Sequence, residues 1–410
     1  MSEAWIIDAC RTPRGAGKPG KGALADIHPQ QLGATVLKAL AERNDLNTAD
    51  VGDVIWGTSA QVAAQGGDIG RMSALDAGYD VRSSGITIDR FCGSGLSAVA
   101  LASASVMSGM EDLVVSGGTE MMSMPGRRGH GPMLMDHGNL RLRARHPQSN
   151  QGVCADAIAT LEGISRQDID SLAVESQRRA ANAMQNGYFD KSLVPVYHEN
   201  GDLALARDEM PRPSTTVETL AGLKPSFAEL AELALDDEGL TYGALIRQAY
   251  PGLEINFVHH AGNSSGVADG SAAVLLASPD YAKSHGLKPR ARVVAYANMG
   301  DCPTLMLNAP VPAARKVLHK AGLSIDDIDL FEINEAFGVV AEKFIRQLKL
   351  DRDKVNVNGG AIALGHPIGA TGAMLVGTVL DELERRDLRR GLVAMCTGGG
   401  MAPALIIERM

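Results

Sequence analysis

The chain has 410 residues, 45% of them apolar and 21% charged, which excludes a disordered polymer and leaves room for two to three domains or one large composite domain. A net charge of −9 and an aromatic content of 4% exclude a general nucleic-acid binder built on basic stripes or base stacking. Cys10, Cys92, Cys154, Cys302 and Cys396 are too widely spaced for a zinc motif and too few for a disulfide framework. Gly stands at 46, against roughly 29 at an average usage of about 7%, so close backbone approaches are expected. Met1–Asp8 lacks the basic and apolar regions of a leader, and no apolar run reaches the roughly 18 residues of a membrane span. The expectation is a reduced, soluble, cytoplasmic protein.

In chain order, Gly15-Ala16-Gly17-Lys18-Pro19-Gly20-Lys21-Gly22 satisfies G-x-G-x-x-G and most of a phosphate loop. However, Gly22 stands where a Ser or Thr would hold magnesium, Pro13 separates the run from its strand, and no helix follows directly. It reads as a flexible loop. The spacing from Thr35 to Leu40 predicts an amphipathic helix, followed by an acidic turn and a strand across 49–56. Residues 314–318 and 325–331 repeat that order late in the chain.

A second matching pair follows each of these. Ile86–Asp89 alternates like a strand and leads to Cys92-Gly93-Ser94-Gly95, then to a helix striped with Leu96, Val99, Ala100, Ser103, Val106 and Met107. A strand from Leu113 ends at Gly117-Gly118. In the other half, Val355–Asn358 predicts a strand leading to His366-Pro367-Ile368-Gly369, a helix around 374–380 and a strand over 392–395. Two similar α/β units follow from this alternation. Between about 121 and 270 the rhythm breaks: Met121, Met122, Met124, Met133 and Met135, then Arg127, Arg128, Arg141, Arg143 and Arg145, a helix over 166–186, and the Pro-flanked 211–216. This reads as an insertion lying over the two units.

The two strand-to-helix junctions carry chemistry. Gly93-Ser94-Gly95-Leu96-Ser97-Ala98 imitates a dinucleotide fingerprint, but Glu111-Asp112 precedes the next strand instead of ending it, where a ribose partner belongs. Cys92 at a helix N-terminus sees the positive end of the helix dipole, which favours a thiolate; a buried structural cysteine is the other reading. His366 occupies the corresponding junction, among glycines, with Pro367 suited to the first helical turn. Cys396 puts a second thiol at a strand end, and a two-fold arrangement would bring Cys92, His366 and Cys396 together.

Cys92-Gly93-Ser94-Gly95, Asn334-Glu335-Ala336-Phe337, Gly365-His366-Pro367 and Cys396-Thr397-Gly398-Gly399-Gly400 resemble the four signature motifs of the thiolases, which act on 3-ketoacyl-CoA or acetoacetyl-CoA. With Arg11-Thr12-Pro13 and Gly117-Gly118-Thr119-Glu120 the resemblance spans nearly the whole chain in family order. A ketoacyl synthase of the wider superfamily would show two histidines beside its cysteine. The resemblance implies an α/β thiolase fold: two βαβαβαββ units about a pseudo-two-fold axis, a five-layered αβαβα core and an inserted loop domain. Its halves would be residues 1–120, continued by about 250–280, and 281–410, with a loop domain at 121–250 covering the active site and binding CoA.

It further implies ping-pong acyl transfer. Cys92 would carry the acyl group, His366 would take its proton, and Cys396 would be the second acid–base. One oxyanion hole would come from His366 and a water held by Asn334, the other from the backbone N–H groups of Cys92 and Gly398. The surrounding glycines would let the thioester approach. Arg212 matches a position packing on adenine, Thr219 one near the nucleotide, and Ser265 one touching pantetheine. CoA and acetyl-CoA would be substrates, with no metal or redox cofactor. A homodimer or homotetramer is implied, and a β-oxidation hydratase/dehydrogenase is a possible partner; nucleic acid and a transmembrane segment are not. An enzyme restricted to acetoacetyl-CoA and a non-catalytic CoA-binding scaffold are the alternatives, and the intact Cys92, Asn334, His366 and Cys396 argue against the second.

Three departures stand out. Asn150-Gln151-Gly152 replaces a His-Met-Gly type of triplet, losing an apolar wall near the acyl site. The segment 228–255 is longer than in short-chain biosynthetic members. His259-His260 stands where a Thr-Ala is common, and reads as packed rather than catalytic. The Arg141, Arg143 and Arg145 cluster can meet CoA phosphates or simply be solvated, and the methionines can line an acyl pocket or pack a core.

Overall fold

The computed structural model describes residues 3–124 and 134–410. Arg127, Arg128 and Met133 lie outside them. Strands β1 (Trp5–Arg11), β2 (Asp53–Gly57), β3 (Ile86–Ile88), β4 (Leu113–Met121) and β5 (Ala268–Ala277) lie in the order β3-β2-β4-β5-β1. Strands β6 (Ala291–Gly300), β7 (Leu330–Ile333), β8 (Arg390–Ala394) and β9 (Met401–Arg409) lie in the order β7-β8-β9-β6.

The two sheets repeat one pairing scheme. β2 is parallel to β3 and β4, whereas β4–β5 and β5–β1 are antiparallel. Likewise β7 is parallel to β8, whereas β8–β9 and β9–β6 are antiparallel. The counterpart of β3 shrinks to one parallel bridge between Val355 and Phe331. The strand expected at Val355–Asn358 therefore does not form. A 3-10 turn over Arg352–Lys354 leads into it, and Asn356 takes φ 46°, outside the extended region. The sheets meet edge to edge where Trp5 faces Arg292 and Ile6 faces Ala291.

Helices α1 (Pro29–Arg43), α2 (Ile69–Asp76), α3 (Ser94–Ser108), α4 (Gln151–Glu162), α5 (Arg166–Gln185), α6 (Pro310–Ala321), α7 (Gly338–Leu348) and α8 (Ile368–Arg385) flank or cover these strands. Side chains alternate across a strand, so one strand feeds two cores. Val114 points inward, to Leu96, Val99, Met374, Val379 and Leu405, while Leu113 and Val115 point outward, to Val36, Leu37, Leu40 and Ile69. Phe331, Ile333, Leu392 and Ile406 face a third core with α6 and α7. The result is the α/β/α/β/α layering expected, with α3 and α8 back to back in the middle. The stretch Phe91–Ser108 is in fact long and apolar enough to cross a membrane, contrary to the sequence expectation, but it is this central helix, mostly buried between the sheets.

Glycine makes the α3–α8 crossing. A Cβ on Gly95 would stand 2.7 Å from the Gly369 carbonyl oxygen, and one on Gly372 would stand 2.1 Å from the Leu96 nitrogen. Gly118 is equally constrained, 2.1 Å from that same Gly369 oxygen. These glycines serve helix contact and draw the two helix starts to one point. The segment between β4 and β5 packs mainly on the C-terminal half, α4 and α5 lying on α7. α5 opens on a capping box of Ser165 and Asp168, close to the predicted 166–186.

Candidate active site

Cys92 sits on a tight turn between β3 and α3. The Asp89 carboxylate accepts the Phe91 N–H (2.6 Å), Phe91 takes φ 48°, and the Ser94 hydroxyl accepts the Arg90 N–H (2.9 Å) while donating to the Phe91 carbonyl (2.6 Å). A bulky residue at positive φ is strained, and here the strain presents Cys92 at the helix start, half-buried.

The turn after β8 packs against this one. A Cβ on Gly93 would meet Thr397 Cγ2 at 2.7 Å, and one on Gly398 would meet the Phe91 ring at 3.0 Å and Met135 Cε at 2.5 Å. Gly93 and Gly398 thus bring the Cys92 and Cys396 loops into contact. Burial pushes the Cys396 thiol well above its ordinary range, and the neighbouring Cys92 charge pushes it further. Cys396 is a protonated thiol beside a more accessible one.

His366 precedes α8, whose N-cap is Pro367, one position earlier than the first-turn place expected. Its N–H donates to the Gly266 carbonyl (2.8 Å) and its ring is buried. The Thr371 hydroxyl donates to the Pro367 carbonyl (2.9 Å), so at 2.6 Å from His366 Nδ1 it must accept from Nδ1–H. That leaves the Nε2 lone pair to accept from the Asn334 amide nitrogen at 3.4 Å. Asn334 Oδ1 is buried with no partner among the described residues. Thr371 is the functional residue that sequence reading missed; a hydroxyl five places after the histidine, one turn into a helix, was the available signal.

Glu335 does structural work. It accepts from the Ser176 hydroxyl (2.7 Å), the Asn356 amide (2.9 Å) and the Ile362 N–H (3.2 Å), tying the segment before His366 to α5. Glu120 similarly accepts from Ser59 N–H (2.9 Å), Gln65 (3.1 Å) and Gly369 N–H (2.9 Å), fastening the start of α8 to the N-terminal half. A cavity of about 500 Å³ between α5 and α7 ends on Ser176, Glu335 and Asn356, and none of Cys92, His366 or Cys396 lines it.

Residues 4–231 match the N-terminal domain of thiolase and residues 287–409 its C-terminal domain. The chain belongs to the thiolase family. That makes it an acyltransferase. It is 40% identical over 419 residues to the steroid 3-ketoacyl-CoA thiolase FadA6 of Mycobacterium tuberculosis, covering 100% of this chain and 95% of that protein. It is 39% identical over 430 residues to a beta-ketoadipyl-CoA thiolase of Acinetobacter baylyi, covering 100% of each. The acetyl-CoA acetyltransferase of Bacillus anthracis has the same fold at a TM-score of 0.83 and 35% identity, covering 100% of this chain and 99% of that one. Human mitochondrial 3-ketoacyl-CoA thiolase matches at 0.83 and 32%, with the same coverage.

In this thiolase Ser265 lies beside the catalytic motifs, its N–H donating to the Ala336 carbonyl (3.0 Å). Arg212 and Thr219 lie on an exposed rim. Met210, two residues before Arg212, reaches Gly266, and Leu220, next to Thr219, reaches Gly262, so both flank the Ser265 loop. The Thr219 hydroxyl is engaged in its own capping box with Thr216. At the Asn150-Gln151-Gly152 triplet, a Cβ on Gly152 would stand 2.3 Å from the Phe227 ring, so Phe227 supplies apolar surface there. Of the methionines, Met135 reaches the Gly398 loop, while Met121 packs a separate core with Leu24 and Leu32. Arg143 is held by Asp136.

His259 and His260 are buried, as read. His260 Nε2–H donates to Asp170 (2.9 Å) and its Nδ1 accepts the Gly262 N–H (3.0 Å). His259 pairs with Asp156 at 2.7 Å.

Proposed function

We propose that the chain catalyses CoA-dependent cleavage of 3-ketoacyl-CoA to acetyl-CoA and a shortened acyl-CoA, and the reverse condensation, through an acyl group on Cys92. The observation that carries the reading is the meeting of the Cys92 and Cys396 turns beside a His366 whose Nε2 lies 3.4 Å from the Asn334 amide nitrogen. His366 Nε2 takes the Cys92 proton, and the thiolate attacks the 3-keto carbon. The bond between C2 and C3 then breaks, leaving the acyl group as a thioester on Cys92. Cys396, protonated because it is buried, gives its proton to the departing acetyl-CoA carbanion. The His366 imidazolium returns its proton to the Cys396 thiolate, and neutral His366 then deprotonates a CoA thiol. The CoA thiolate attacks the thioester, releases the shortened acyl-CoA and leaves a Cys92 thiolate that takes the proton back from His366. The steps balance without a metal or redox group.

Charge develops on two oxygens. The backbone N–H groups of Cys92 and Gly398 serve the tetrahedral intermediate, and His366 with a water on Asn334 Oδ1 serves the enolate. Each such donor is worth about 3–4 kcal/mol of barrier. The buried, unpartnered Asn334 Oδ1 supports the second assignment. Ser265 meets the pantetheine arm, with Arg212 and Thr219 toward the nucleotide. The enzyme works in the cytoplasm as a homodimer or a homotetramer of paired dimers. The open edge of β3 supports the oligomer: Ile86 on that strand and Leu101 on the central helix α3 are 48% and 49% exposed.

The test is CoA-dependent cleavage of 3-ketoacyl-CoA substrates from short to long chains, with Cys92→Ala as the blank. Cleavage absent from the variant establishes the reading, and the rate profile measures the acyl pocket. CoA binding with no cleavage at any length overturns it in favour of a scaffold.

A further inference from the structure

The loop preceding Ser265 contains a buried imidazole that the reaction above does not use. Asp156 on α4 accepts the Val258 N–H (2.9 Å), the His259 N–H (2.9 Å) and the His259 Nδ1–H (2.7 Å) through one oxygen, Oδ1. His259 therefore carries its proton on Nδ1, and its Nε2 accepts the Val339 N–H at 3.3 Å. Val339 is in the first turn of α7.

The first N–H groups of a helix have no partner within it. At α7 the N-cap residue, Phe337, makes no side-chain cap. Gly338 N–H goes to the Asn263 carbonyl (2.9 Å), Val340 N–H to the Phe337 carbonyl (3.0 Å), and Val339 N–H to His259. The imidazole thus does from a distant segment what a Ser or Asp ordinarily does locally. Its ring also stands edge-on to Phe337, with centroids 5.7 Å apart.

The four residues between β7 and α7 are Asn334-Glu335-Ala336-Phe337. At one end, Asn334 N–H is fixed to the Ala394 carbonyl (3.1 Å); at the other, the start of α7 is fixed to His259. We propose that His259 is a positioning residue for Asn334, setting through the α7 cap where its side chain stands relative to His366. The inference rests on the thiolase reading given above.

The reading separates two half-reactions. Exchange of the acetyl group between acetyl-CoA and labelled CoA needs Cys92, His366 and the backbone N–H groups of Cys92 and Gly398. Carbon–carbon cleavage of acetoacetyl-CoA also needs Asn334. His259→Asn keeps a donor at the Nδ1 position for Asp156 and loses the acceptor for Val339. A displacement of about 1 Å at a catalytic group costs on the order of a hundredfold. The expected result is cleavage reduced about tenfold or more with exchange within about twofold of wild type, and partial recovery of cleavage in His259→Gln, whose amide oxygen reaches the Nε2 position.

Asp156→Asn, which weakens the hold on the ring while keeping an oxygen for both N–H groups, is the second variant. It should shift the cleavage-to-exchange ratio in the same direction by about threefold. Equal loss of both activities, or an unchanged ratio in whichever variant folds, overturns the proposal. A wild-type enzyme that performs neither half-reaction overturns the thiolase reading instead.

Discussion

Thr371 decides which nitrogen of His366 is available. Its hydroxyl proton is committed to Pro367, so the ring must donate from Nδ1, and after taking a proton at Nε2 the imidazolium keeps that hydrogen bond. A hydrogen bond to a charged partner contributes about 1.5–3 kcal/mol. Thr371→Val should therefore lower kcat by about tenfold or more, whereas Thr371→Ser should restore most of it. Equal kcat for both variants would count against the assignment. The thiols differ in the same physical way. Cys10, Cys154 and Cys396 are buried and their thiols are pushed well above the ordinary range, while Cys92 and Cys302 are half-buried. Iodoacetamide at neutral pH, read by peptide mass spectrometry, should label Cys92 and Cys302 and leave the other three. At this scale the sequence was legible where a residue type names its own chemistry, as for Cys92 and His366. It did not disclose the roles of Thr371 and His259, which depend on which atom of a neighbour they meet.

Among the elements, those that were readable carry their own signals. α5 begins where Ser165 and Asp168 form a capping box, and the strand at Leu113 opens on the apolar Leu113-Val114-Val115. The strand at 355–358 misled because its alternation is real while Asn356 turns away at φ 46°. The 258–266 loop is held by polar contacts to Asp156 and Asp170. Burial, with Arg166 nearby, holds His260 below its ordinary value of 6.5 against the opposing pull of Asp170. A base with a depressed folded value binds its proton more readily unfolded. Its contribution to stability is therefore complete above 6.5 and is lost as the pH falls below it. Between about pH 7.5 and about pH 5, the thermal midpoint should drop further in wild type than in His260→Asn. Parallel drops would exclude this histidine as the source.

For the whole molecule, the glycine crossing of α3 and α8 joins the halves, and the sequence could not disclose it. Gly95, Gly369 and Gly372 look like ligand-approach glycines until the partner helix is in place. Among the described residues β3 is the open edge of its sheet, where the proposed subunit contact falls. Ile86→Lys places a charge on that edge and should convert the proposed oligomer to monomers, as measured by light scattering on a sizing column. Retention of the wild-type mass would locate the subunit contact elsewhere.

The repeated pairing scheme has a consequence for ancestry. If two separate, identical halves met about a true two-fold axis, whatever side chain stood at one strand-to-helix junction would stand at the other as well. Such an ancestor could hold two thiols or two imidazoles, but never one of each. Cys92 and His366 can stand at these two equivalent junctions only because the halves occupy one chain and have been free to diverge, and the unlike duties proposed for them follow from that.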